Sequence, residues 1–180
     1  MLVGYEPFKK IISIIKYKLA DYNVEIGTQS NAVLINDMFL DLFLKENIYI
    51  GISLDGPPKY NDQHRYYHNK KGSGKDVEKA LLLLKEFPYF SGILSVINID
   101  YDPLKVWDYL SDFNPRLIDF LLPHATWDKI PYGKDNLNDT KYADWLIKIF
   151  DSWFHGNKQN ISIRTFEEII EYSVGGSGSL

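Results

Sequence analysis

The sequence predicts an α/β fold built on parallel strands. Short apolar runs of strand length alternate with amphipathic helical stretches over four strand–helix units. Capping residues and prolines separate one element from the next. The last run, LIDFLL at 117–122, is nearly continuous in apolar residues, as expected for a strand buried on both faces. Alternation of this kind joins parallel strands by right-handed crossovers. Four such strands make either an arc of a (β/α) barrel or a small doubly wound sheet, and the pattern alone leaves both open.

Taken in order, residues 5–20 predict a helix, with Phe8, Ile11, Ile12, Ile15 and Leu19 on one face and Pro7 at its first helical position. Residues 23–29 predict a strand, with Val24 and Ile26 opposite Glu25 and Gly27. Asn36 or Asp37 caps a helix carrying Phe39, Leu42 and Phe43. A strand at 48–53 follows. Ser73 and Asp76 form an imperfect capping box for a helix running to about Phe87, stopped by Pro88. GILSVIN at 92–98 is the third strand, and Asp102-Pro103 opens the helix after it, which ends before Asn114-Pro115. Residues 139–155 are amphipathic with Leu146, Ile149, Phe150, Trp153 and Phe154 inward, and Gly156 ends that helix. A last helix starts at Thr165, with Glu168 completing a capping box. The tail GGSGSL at 175–180 reads as a flexible linker after one domain over 1–174.

Composition bounds the function. The chain has 180 residues, 45% hydrophobic and 24% charged, enough for one domain with a real core. A net charge of -4 gives no electrostatic case for nucleic acid. No run approaches the roughly 18 apolar residues of a membrane span, and MLVGYEPFKK lacks the apolar stretch of a signal peptide, so a cytoplasmic protein is expected. There is no cysteine, which excludes disulfides, thiolate metal sites and cysteine nucleophiles within this sequence.

The strand at 48–53 carries the chemistry. Ile48, Ile50 and Ile52 alternate with Tyr49, Gly51 and Ser53. If the isoleucines face helices, the other side has open space above Gly51 and a hydroxyl at the strand's C-terminal end, where α/β sheets bind ligands. The loop from Gly56 to Gly72 is dense in Asp, His, Arg and Tyr and shows no periodicity. Ser53 can bond a ribose or an amino-acid group. Asp55 can reach a ligand or build the Asp55-Gly56-Pro57 turn. Gln29 and Asn31 end the preceding strand with amides at the same side. Arg65 can grip a carboxylate with two N–H groups. His124, Trp127 and Asp128 follow the last strand, where a His–Asp pair could move a proton and Trp127 could stack on a substrate. His64 and His68 have the spacing of two helical metal ligands, but no helical pattern or third ligand, so no metal is assigned.

These stretches also carry a resemblance. GTQSNAVLI at 27–35 resembles the third-strand region of radical SAM enzymes, GISLDGP with Asp62 and Arg65 after it the fourth, and DFLLPHATWD at 119–128 the sixth. The match is to the peptide-modifying branch that usually carries a SPASM domain, which includes anaerobic sulfatase-maturating enzymes and cyclophane-forming peptide maturases. The resemblance implies an open arc of about four parallel strands with covering helices, the last four of a six-stranded partial barrel. It implies S-adenosylmethionine and a 4Fe-4S cluster as cofactors, and a peptide or protein substrate whose hydrogen a 5'-deoxyadenosyl radical removes. It places Ser53 in the S-adenosylmethionine pocket, with Asn31, Gln29, Asp55 and Arg65 nearby, and His124, Trp127 and Asp128 towards substrate. Where the family often reads TNG, this chain has Ser30-Asn31-Ala32. The family's CxxxCxxC and GGEP segments have no counterpart here, so a separate N-terminal barrel segment is an expected partner. The chain alone is then expected to be inactive. The alternative function is a non-catalytic module on the same scaffold that holds a peptide or a partner.

Overall fold

The computed structural model describes residues 4–126, 128–136 and 138–176. Four strands, β1 (Ile26–Ser30), β2 (Ile48–Ser53), β3 (Phe90–Val96) and β4 (Ile118–Leu121), form one parallel sheet in the order β1-β2-β3-β4. Helix α1 (Tyr5–Lys18) precedes β1, and α2 (Asp37–Glu46) joins β1 to β2. The short α3 (Pro58–Asn61) and α4 (Gly74–Leu84) join β2 to β3, α5 (Pro103–Ser111) joins β3 to β4, and α6 (Lys141–His155) and α7 (Arg164–Ser173) follow.

The strand order decides between the two architectures left open by the sequence. A doubly wound sheet reverses its order at a switch point. Here the order never reverses, so right-handed crossovers lay the connecting helices α2, α4 and α5 on one face. The sheet is an open arc of a (β/α) barrel. Its helix-covered face is the core: Ile48, Ile50, Ile52, Ile93 and Ile118 are fully buried there against Phe43, Leu81, Leu84 and Leu110. Among the described residues β1 pairs only with β2, so its outer edge is open. The other edge is covered at one point, where Ser162 bridges Leu117 and accepts a bond from the Ile118 amide at 3.0 Å.

Several local expectations give way to tertiary packing. The first strand sits at 26–30, leaving Val24 exposed, and the third at 90–96. β4 ends with Leu121 40% exposed, so its second face is only partly covered. In α1 only Phe8 and Ile12 are buried, and Phe8 makes edge-to-face contacts with Phe39 and Phe43 of α2; Ile11 and Leu19 are exposed. On α6 it is Trp145, Ile149 and Trp153 that are buried, while Phe154 is exposed.

Caps divide the same way. Asn36 caps α2 by accepting from the Phe39 amide at 3.2 Å, and Asp102 caps α5 through Leu104 at 3.1 Å, both as the sequence predicts. The Ser73–Asp76 box does not form. Ser73 is helical in φ and ψ and its hydroxyl donates to the Arg65 carbonyl, while Asp62, twelve residues upstream of Gly74, accepts the Gly74 amide at 2.7 Å. The Thr165–Glu168 box does not form either: α7 begins at Arg164, and the nearby side-chain bond runs from the Ser162 hydroxyl to Glu167.

Candidate functional site

The face of the sheet opposite the helices is polar at its C-terminal rim. Ser53 ends β2 on this face, half-buried, and Gln29 of β1 donates its amide to the Ser53 hydroxyl at 3.1 Å. The register pairs Gln29 with Gly51, and the Gln29 amide lies across Gly51 so closely that a methyl group there would overlap its Oε1. The space expected above Gly51 is therefore occupied by a side chain of the chain itself. Glycine is needed at this position because it lets that amide reach Ser53.

One residue past the rim, Asp55 is buried and fully engaged. Its carboxylate accepts the Val96 amide from the end of β3 at 2.9 Å, and Nε and Nη2 of Arg65 at 2.6 and 3.0 Å. The two-pronged grip foreseen for Arg65 is thus spent on Asp55. Arg65 keeps 30% of its side chain exposed toward the cavity described below.

The loop that carries Arg65 is built, which the lack of periodicity concealed. It holds α3, a small antiparallel bridge between Tyr66 and Gly72, and a bond from the Tyr67 hydroxyl to Asp76 at 2.9 Å. That bond holds the Asp76 carboxyl below its usual range. Tyr101, just after β3, pins the loop from the other side: its ring stacks on Tyr60 at 4.2 Å and its hydroxyl reaches the Tyr60 carbonyl and Gln63 Oε1. The Tyr101 carbonyl in turn accepts the buried Trp145 indole at 2.9 Å, tying the loop to α6.

Between the ends of β3 and β4 lies a cavity of about 690 Å³. Asp55 and Arg65 form one part of its wall, with Gln63, His64 and Asn98 beside them. Asp100, Tyr101, Tyr132, Tyr142 and Pro123 form the rest, over the apolar floor of Val96 and Ile97. Burial, and then the nearby acids Asp55 and Asp100, push the Tyr101 hydroxyl above its ordinary pKa; burial and Asp100 do the same to Tyr142.

Of the residues singled out in the sequence, the structure joins Gln29 to Ser53 and Asp55 to Arg65. Asn31 is exposed beyond β1, where its carbonyl closes a turn with Val33 and Ala32 takes a left-handed φ of 65° in the position of the family's glycine. His124 and Asp128 are exposed in the loop after β4, outside the cavity wall. Trp127 lies outside the described residues, as do residues 177–180 of the expected tail. Sequence reading passed over Asn98, Asp100, Tyr101 and Tyr142. Asn98 and Asp100 stand at a strand's C-terminal end, which is the signal that could have found them.

The fold is an open four-stranded arc of a (β/α) barrel with a polar rim at the C-terminal ends of its strands. No protein-family model matches the chain. It is 28% identical over 189 residues to a cysteine-type anaerobic sulfatase-maturating enzyme of Clostridium novyi, covering 98% of this chain and 49% of that protein. It is 22% identical to a serine-type anaerobic sulfatase-maturating enzyme of Bacteroides thetaiotaomicron, covering 93% and 45%. Among solved structures, native anSMEcpe with bound AdoMet and Cp18Cys peptide superposes with a TM-score of 0.82 at 22% identity, over 99% of this chain and 51% of that one. The relatives it matches thus include anaerobic sulfatase-maturating enzymes, which are radical SAM enzymes, and the chain spans about half their length.

The two implied cofactors meet different fits. The Ser53 hydroxyl and Gln29 amide at the rim suit the hydroxyls and amino-acid end of S-adenosylmethionine. A 4Fe-4S cluster needs thiolates, and this sequence has no cysteine; nor do the described residues gather three or more His, Asp or Glu able to hold a metal ion. The residues here do not fit the cluster, and no chemical step through it is assigned to them. No described helix is long and apolar enough to cross a membrane.

Proposed function

We propose that this chain forms the wall of a cytoplasmic radical SAM core that holds S-adenosylmethionine at the Ser53–Gln29 rim and a peptide substrate in the adjoining cavity. The observation that supports this most is the Gln29–Ser53 contact at 3.1 Å on the bare face of an arc whose homologues are sulfatase-maturating enzymes. In this reading Ser53 bonds the ribose or amino-acid end of the cofactor, and Gln29 aims its hydroxyl. Asn31 flanks the same end. Asp55 holds Arg65 at the border between cofactor and peptide, and the loop bearing His124, Trp127 and Asp128 borders the substrate side. The cluster thiolates come from polypeptide outside this sequence, which would pair with the open edge of β1.

A second reading, a peptide- or partner-binding module without catalysis, is favoured by one observation, the zero cysteine count. Calorimetric titration with S-adenosylmethionine separates the two. The core reading expects weak saturable binding that Ser53→Ala lowers about tenfold, the loss of one hydrogen bond to a bound ligand. No saturable binding at millimolar ligand, or equal binding by Ser53→Ala, would overturn it in favour of the module.

A further inference from the structure

Among the described residues of the cavity wall, Asp100 is the one acid without a counter-charge. Asp55 is neutralised by Arg65, the only lysine or arginine among the described lining residues. Among the described residues the Asp100 carboxylate makes no hydrogen bond and no ion pair; only its amide is engaged, by Asn98 Oδ1 at 3.0 Å. It lines both this cavity and the neighbouring one of about 940 Å³ on the other side of Tyr101 and Tyr132.

Two of the three rings around it have their hydroxyls already bonded. The Tyr101 hydroxyl is spent on Tyr60 and Gln63, and the Tyr142 hydroxyl donates to the Tyr132 carbonyl at 2.8 Å. A ligand therefore meets rings more than hydroxyls. Tyr132 is 70% exposed and forms the outer lip. Electron-rich ring faces beside an unpaired carboxylate attract a cation, and the apolar floor of Val96, Ile97 and Pro123 suits a methylene stem. In this cavity an anionic ligand would meet no lysine, and the one arginine is already paired with Asp55; Lys141 and Lys148 line the neighbouring cavity.

We propose that this cavity binds the cationic side chain of a peptide, lysine or arginine, with Asp100 as counter-ion and the rings of Tyr101, Tyr132 and Tyr142 as its wall. That the ligand is a peptide substrate rests on the function proposed above; the preference for a cation stands on the cavity itself.

The test uses the whole chain and four small probes: the N-acetyl methylamides of lysine, arginine, norleucine and glutamate. Each is titrated while amide and tyrosine-ring NMR signals are followed. Lysine and arginine probes are expected to saturate shifts at Asp100, Tyr101, Tyr132 and Tyr142. Norleucine, of the same shape without the charge, should bind about fivefold or more weakly, as should the lysine probe to Asp100→Asn or Tyr132→Ala. Asp100 and Tyr132 are exposed, so both variants should fold, which unchanged remote amide signals would verify. Equal binding of norleucine or glutamate, undiminished binding by Asp100→Asn, or shifts confined to another part of the sheet would each overturn the proposal. A lysine probe that binds where S-adenosylmethionine does not would uphold the cation preference while removing the cofactor reading.

Discussion

Arg65 holds Asp55 through two N–H groups, at 2.6 and 3.0 Å, while the Val96 amide takes the same carboxylate from the next strand at 2.9 Å. One side chain thus locks the loop after β2 onto the end of β3. Replacing Asp55 by Asn should leave Arg65 part-buried without its counter-charge. The expected cost is about 2–3 kcal/mol, below the roughly 3–5 kcal/mol for breaking a fully buried pair because Arg65 is part-exposed. Urea denaturation checks this. Arg65→Lys, which keeps the charge and loses the fork, should fall between wild type and Asp55→Asn; a wild-type midpoint for Asp55→Asn would show the pair to be incidental.

Gly51 and Gln29 give a coupled pair. A methyl at Gly51 would displace only the far end of a flexible side chain, so Gly51→Ala should cost about 1 kcal/mol, the loss of the Gln29–Ser53 bond. Gln29→Ala should cost a similar amount. The double variant should cost no more than either alone, since both remove one contact. Additive losses in the denaturation midpoints would refute that coupling.

Helix α4 separates the two capping candidates. Asp62→Ala removes the carboxylate that accepts the Gly74 amide and should cost about 1–2 kcal/mol. Asp76→Ala loses a part-buried bond from Tyr67 and an exposed one from Lys79 but uncaps no helix amide, and should cost less in the same denaturation series.

That contrast shows what the sequence could and could not convey. Periodicity found every strand and placed β2 to the residue, because the 48–53 alternation reports directly which side chains face the helices. Caps made within one turn, Asn36 and Asp102, were legible for the same reason. The Asp62 cap was not, because it reaches across a loop that only folds once Tyr101 stacks on Tyr60. At the site, strand-end position marked Ser53 and Gln29, but not that Gln29 would fill the space above Gly51, nor that Arg65 would turn inward to Asp55. Both depend on neighbouring strands, and strand neighbours are not written in local spacing.

Alkaline pH should weaken the fold through Tyr109. Burial raises its hydroxyl pKa, and the adjacent Glu78 carboxylate raises it further. The folded state therefore keeps a proton that the unfolded chain releases near the ordinary tyrosine value of about 10. Stability is whole below that pH and falls as pH rises above it. Urea midpoints across this range should drop in the wild type and drop less in Tyr109→Phe; parallel curves would contradict the assignment.

The open edge of β1 should template pairing between copies. Sedimentation is expected to show association that grows with concentration. A strict monomer with full hydrogen-exchange protection along residues 26–30 would contradict it.

The most direct test of the central claim is 5'-deoxyadenosine formation from S-adenosylmethionine after anaerobic reconstitution with iron and sulfide under a strong reductant. The chain alone should stay colourless and form none, having no thiolate to hold a cluster. Mixed with a separate segment carrying the CxxxCxxC and GGEP sequences of the family it resembles, it should form product in an amount that Ser53→Ala reduces. Product from the chain alone, or from a mixture indifferent to Ser53→Ala, would contradict the account.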